Sequence, residues 1–242
     1  MASQQPVILE NISLDCFISY ILDNHSQPSN LVICGTKEAF IAHLVANSPA
    51  SSSPPPAGQA DPDSLPAPAQ EGRIEPWIVA PTLRLLSLSR TVRAVFCPDI
   101  THLSAYLATL APPKVGEETS RGRLLAILNP VSLHRPTSAF SAQGLNRTFA
   151  AAVEAAYRSG SKLIVAECYD VPAAEAGGAT IDHNDDSAVQ PAEVSSIWNE
   201  EISILNITTK SFGAGERGWV GRKARVRNVA ARWCVFEELN DG

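Results

Sequence analysis

Three short runs, NLVICGT (30–36), RLLAILN (123–129) and KLIVAEC (162–168), are apolar at consecutive positions and stop at polar or small residues. A strand with one wet face alternates apolar and polar side chains, whereas a continuous run needs cover on both faces. TVRAVFC (91–97) reads as a further strand. Helical stripes separate these runs. After NLVICGT, Phe40, Ile41, Leu44 and Val45 recur at helical spacing, and Thr36 stands where it can cap that helix. Residues 82–89 read as helix. Ile100, Leu103, Leu107 and Leu110 form one face of the next helix, and 141–160 is a long amphipathic helix closed by Gly160. A helix over 12–24, capped by Asn11 or Ser13, precedes them all. This alternation predicts an α/β fold: a mostly parallel sheet flanked by helices on both faces. The strand carboxyl ends, with Gly35, Asn129 and Glu167, then share one edge, where ligands of such sheets bind.

The chain has 242 residues, 45% of them hydrophobic, enough for the core of a single domain spanning 1–242. Two stretches break the pattern. Residues 48–72 are rich in Pro, Ala and Ser and cannot bury enough apolar surface to offset their ordering entropy, so they read as a disordered insertion. Residues 169–196 carry Asp182, Asp185 and Asp186 and read as a flexible acidic loop.

Cys16, Cys34, Cys97, Cys168 and Cys234 are widely spaced, form no CxxC pair and mostly sit in apolar runs, which points to free thiols in a reducing compartment. The first residues lack a basic segment followed by a long apolar one, and no stretch approaches membrane-spanning length. A nuclear or cytoplasmic protein without membrane contact is expected, and the sequons at Asn11, Asn146 and Asn206 read as chance matches.

Motifs for small-molecule chemistry are missing. There is no G-x-S-x-G turn for a serine nucleophile and no G-x-G-x-x-G for a dinucleotide. The five histidines show no metal-ligand spacing, so neither a metal nor a cofactor is expected. The remaining signal is basic. Arg217, Arg222, Lys223, Arg225, Arg227 and Arg232 concentrate near the carboxyl terminus although the chain's formal net charge is −6. EEISILNI, RKARVRNV and RWCVFEEL read as strands, the last two joined through Ala230 and Ala231 in an antiparallel hairpin. On such a strand Lys223, Arg225 and Arg227 share one face and could meet nucleic-acid phosphates. A solvated face that discourages edge pairing is the competing reading.

The order of these pieces resembles the ATPase core of RecA-type recombinases and their paralogues, a fold of the P-loop NTPase type, over residues 27–238 without the two insertions. NLVICGT looks like the strand that leads into the phosphate loop, RLLAILN like the strand that ends in a magnesium-associated Asp, and WNEEISILN and KARVRNVAARWCVFE like the closing strands. The departures are chemical. A phosphate loop needs G-x-x-x-x-G-K-[ST], whose amides, Lys and hydroxyl hold phosphates and magnesium. Here the corresponding turn offers only Gly35, Thr36 and Lys37, followed by Glu38 and Phe40, and Asn129 stands where the family carries Asp. Gly35, Thr36, Lys37 and Asn129 would be a degenerate nucleotide site in a pseudo-ATPase.

The resemblance therefore implies a non-catalytic subunit, similar in kind to those of the Shu complex. Such a subunit assembles with other RecA-like chains to support homologous-recombination repair and possible DNA contact. The same fold without its motifs also occurs in the Elongator complex, which serves tRNA modification, and RNA is then the alternative ligand. A third reading is an enzyme with an unrecognised site at Asn129, His134 and Glu167.

Overall fold

A computed structural model describes residues 5–24, 29–46, 83–112, 123–168, 196–205 and 222–238. The expected insertion at 48–72, residues 169–195 of the acidic loop, and Arg217 lie outside the described residues.

Six strands form one sheet: β1 (Val7–Glu10), β2 (Ser29–Cys34), β3 (Val92–Cys97), β4 (Leu124–Leu128), β5 (Lys162–Ala166) and β8 (Val235–Glu238). Their spatial order is β3-β2-β4-β5-β1-β8, and every neighbouring pair is parallel. A separate antiparallel pair joins β6 (Glu201–Ser203) to β7 (Lys223–Arg225). The helices are α1 (Leu14–Asn24), α2 (Lys37–Ala46), α3 (Leu83–Ser89), α4 (Ile100–Thr109), α5 (Pro130–His134), α6 (Ala142–Ser159) and α7 (Val226–Ala230).

The continuous apolar runs do what their composition requires. Along β4, Leu125 and Ile127 point into a core shared with α4, α6 and α7. Leu124, Ala126 and Leu128 point into a second core covered by α1 and α2. All five residues of β4 are buried. Full burial of each such Leu or Ile is worth about 1.5–3 kcal/mol, so the central strands hold both helical layers to the sheet. The helix ends obey local rules. The Ser13, Thr36, Asp99 and Ser141 side chains accept from the amides of Cys16, Ala39, His102 and Gly144. Gly160, at φ 65°, closes α6 in the left-handed conformation.

Two expectations are corrected. The first strand is β1, not NLVICGT; VILE pairs with both β5 and β8, which places it between the fifth and last strands of the sheet. The closing segments do not form the expected hairpin. Within RKARVRNV only Lys223–Arg225 is a strand, and it pairs with Glu201–Ser203. Val226, Val229 and Ala230 recur at helical spacing and are buried on the inner face of α7, so hydrophobic burial turns the chain into a helix there. The last strand then joins the main sheet parallel to β1. No helix among the described residues is long and apolar enough to cross a membrane.

Candidate functional site

Because the main sheet is all parallel, its strand carboxyl ends lie along one edge. Gly35, Asn129 and Glu167 follow β2, β4 and β5 there, as the alternation of elements predicts.

The turn after β2 is a plain strand-to-helix junction. Gly35 has φ 149°, a backbone shape that favours glycine, and its amide donates to the Cys97 carbonyl at 2.8 Å. The Thr36 hydroxyl accepts from Ala39 N at 3.2 Å, and its carbonyl accepts from Phe40 N at 3.2 Å. Lys37 is exposed on the first turn of α2. Phe40 packs edge-on against Phe96, ring centroids 5.7 Å apart, and so faces the apolar layer. The turn after β1, the strand that truly comes first, is one residue longer. It spans Asn11, Ile12 and Ser13, with Asn11 left-handed at φ 51° and Ile12 buried.

Asn129 and Glu167 are brought together, each bonded to the backbone. Asn129 is buried and left-handed (φ 58°, ψ 40°). Its amide donates to Ala166 O at 2.8 Å, and its Oδ1 accepts from Cys168 N at 2.8 Å, which laces the end of β4 to the end of β5. Glu167 is also buried. Its carboxylate accepts from the amides of Val131 and Ser132, the latter at 3.2 Å, and from the Ser132 hydroxyl at 2.7 Å. Burial pushes its pKa up to about 7, against the lowering effect of these donors and of Arg135. Burial, with the Glu167 charge nearby, pushes the Cys34 thiol well above its usual range, so Cys34 is held as a neutral thiol.

His134 has other partners. Its Nδ1 lies 3.2 Å from Ala139 O and its Nε2 2.9 Å from the Thr148 hydroxyl, and burial lowers its pKa and keeps the ring neutral. It forms one wall of a cavity of about 250 Å³ between α4 and α6, with Ile100, Ser104, Gln143, Arg147 and Thr148. Sequence alone does not foretell this cavity. The only signal for it was the polar face Gln143–Arg147, one turn apart on α6.

The basic residues separate into two groups. Arg222, Lys223 and Arg225 are exposed. Lys223 and Arg225 share the outer face of β7 as expected, with Ala224 turned to the core. Glu201 lies opposite Arg225, and its carboxylate is 3.8 Å from Lys223 Nζ. Arg227 does not belong to this stripe. It sits on α7, forms a two-pronged ion pair with Glu10 at the end of β1 (Nη2–Oε2 2.9 Å), and stacks 4.2 Å above the Phe236 ring. A salt bridge to the nearly buried Glu10 carboxylate and a cation–π contact make the half-exposed Arg227 a structural clamp. The expected strand face shared by Lys223, Arg225 and Arg227 is corrected accordingly: it holds Lys223 and Arg225 only.

All described cysteines are free, and all but Cys16 are buried. Among the described residues no cluster of His, Cys, Asp and Glu is placed to hold a metal ion. No protein-family model, curated protein or solved structure matches the chain. The fold is thus an α/β sheet flanked by helices with a carboxyl-terminal antiparallel pair.

Proposed function

We propose that this protein is a non-catalytic RecA-like subunit, a pseudo-ATPase that works by assembly with similar chains in a homologous-recombination mediator complex and by contact with nucleic acid. The observation that carries the reading is the use of the carboxyl edge. Asn129 and Glu167, the polar side chains best placed to serve a ligand there, are committed to the amides of Cys168, Val131 and Ser132. The turns after β1 and β2 hold neither a second glycine nor a Lys-Ser/Thr pair, so phosphate and magnesium would find no ready ligands. One buried carboxylate with a pKa raised to about 7 could relay a proton, but without a phosphate cradle it cannot drive phosphoryl transfer.

Assembly draws support from apolar surface. Ile41 and Val45 on α2 and Leu83 and Leu86 on α3 are exposed among the described residues, and β3 ends the sheet on that side. Nucleic-acid contact draws support from the exposed cations Arg222, Lys223 and Arg225.

Co-purification of the tagged full chain from its native cells tests this reading. Recovery of recombination factors is the expected result, and a monomer that captures none of them contradicts it. The second reading, a subunit of an Elongator-type tRNA-modification complex, uses the same exposed cations. Recovery of tRNA-modification factors, with a preference for tRNA lost in an Arg222/Lys223/Arg225 charge-removal variant, would favour it.

A further inference from the structure

The cavity beside His134 and the basic β6–β7 pair form one continuous strip. The backbone ties them together: Gln143 N donates to Ile204 O at 3.1 Å, Ile204 N donates to Arg222 O at 3.0 Å, and Ser141 bridges to Ser203. Ile204 therefore lies beside the first turn of α6 with Arg222 one strand further out, and Gln143 and Arg147 stand one turn apart on that helix, both exposed and both lining the cavity. Along the strip Arg147 and Arg222 are exposed, and Lys223 and Arg225 share the Glu201 carboxylate.

The cavity has two kinds of wall. Ile100 and Ala139 are apolar, and His134 is a neutral ring held in place by Ala139 and Thr148. Ser104 and the Gln143 amide supply a hydroxyl, a donor and an acceptor at the mouth. At about 250 Å³ the space falls below the range of about 300–1,000 Å³ typical of pockets for drug-sized molecules. It suits one flat heteroaromatic ring, whose edge needs both a donor and an acceptor and whose faces need apolar cover.

We propose that this strip binds single-stranded nucleic acid, with backbone phosphates on Arg222, Lys223 and Arg225 and one unstacked base inserted into the cavity beside Arg147. The inference rests on the nucleic-acid contact proposed above and adds the strand type and the base site. A duplex keeps its bases stacked and could use only the cations. An acidic peptide could pair with Arg147 but would leave the apolar walls Ile100 and Ala139 and the polar groups of Gln143 and Ser104 unused.

The test is fluorescence anisotropy with the full chain and labelled oligothymidylate, oligouridylate and a mixed-sequence duplex, with an oligoglutamate peptide as competitor. The wild type should bind at least one single strand more tightly than the duplex, and the two single strands distinguish DNA from RNA. Ser104→Trp, which fills the cavity from an exposed position, and Arg147→Gln should each weaken single-strand binding about tenfold. Duplex binding should change by less than about twofold in Ser104→Trp. An Arg222→Gln/Lys223→Gln variant should weaken both. Melting curves check that each variant is folded.

If the double variant loses binding while Ser104→Trp and Arg147→Gln keep single-strand affinity, the base site is overturned and the basic contact stands. Equal affinity for single strand and duplex overturns it too. Displacement by oligoglutamate at matched charge would assign the strip to an acidic protein. Absence of binding to every probe contradicts both the base site and the nucleic-acid contact.

Discussion

The Glu167 carboxylate accepts both the amide and the hydroxyl of Ser132, at 3.2 and 2.7 Å, so the end of β5 is tied to the first turn of α5. The same corner is laced from the other side by Asn129 and Cys168. Glu167 is thereby part of the framework, and its protonation is linked to stability.

That linkage has a definite sign. The folded pKa of about 7 lies above the ordinary carboxylate value of 4.5, so between these values the folded chain binds more protons than the unfolded one. Stability from this group is greatest below the unfolded value and is lost as pH rises through the folded one. The loss amounts to about 3 kcal/mol at 1.36 kcal/mol per unit. His134 acts in the opposite sense: its lowered pKa costs stability as pH falls through the usual histidine range. Glu167→Gln should therefore abolish most of the fall in melting temperature between about pH 5 and pH 8 while sparing the His134 effect. An unchanged pH profile would show that Glu167 is not the buried titrating group.

Asn129 carries two separate costs. Asn129→Ala leaves the Cys168 amide without its acceptor and places Ala in a left-handed conformation, for a loss of about 2–4 kcal/mol. Asn129→Gly removes only the acceptor and should be about 1 kcal/mol less damaging. Urea unfolding of the two variants measures the difference, and equal losses would mean that the backbone conformation costs nothing.

Arg225 and Arg227 are two residues apart and should behave differently. Arg227→Ala removes the partner of Glu10 and the cover of Phe236, which should cost about 2 kcal/mol in stability. Arg225→Ala, on the exposed face of β7, should stay within about 0.5 kcal/mol of wild type and lower nucleic-acid affinity instead. Paired melting and binding measurements check this, and a reversal of the two effects would put Arg227 back in the binding stripe.

Gly144 is required by space. A Cβ there would stand 2.1 Å from the Ala139 carbonyl oxygen, in the loop that also holds His134. Gly144→Ala should cost about 1–3 kcal/mol through this overlap, and it should disturb the His134 ring signals in an NMR spectrum. A variant as stable as wild type would show that the loop can move aside.

Much of the sheet was legible because burial on both faces leaves a mark in the sequence. Strands β2, β4 and β5 are nearly unbroken apolar runs, and the stripes of α4 and α6 repeat at helical spacing. What escaped depends on contacts far apart in the chain. VILE is four residues long and gains its place only by pairing with β5 and β8. Around Val226 the sequence satisfies both a strand and a helix pattern, and the buried Val226–Val229–Ala230 face decides for the helix. Arg227 read as a surface cation because its partner, Glu10, is 217 positions away. The candidate edge was located correctly from Gly35, Asn129 and Glu167, whereas the cavity at His134 needs α4 and α6 side by side and no local pattern announces it.

In the proposed pseudo-ATPase, the carboxyl edge of the sheet serves the fold instead of a nucleotide. Phosphate release from ATP and magnesium by the purified full chain, beside Glu167→Gln, tests it most directly. The account predicts no turnover above the buffer blank in either protein; turnover in the wild type that disappears in Glu167→Gln would contradict it.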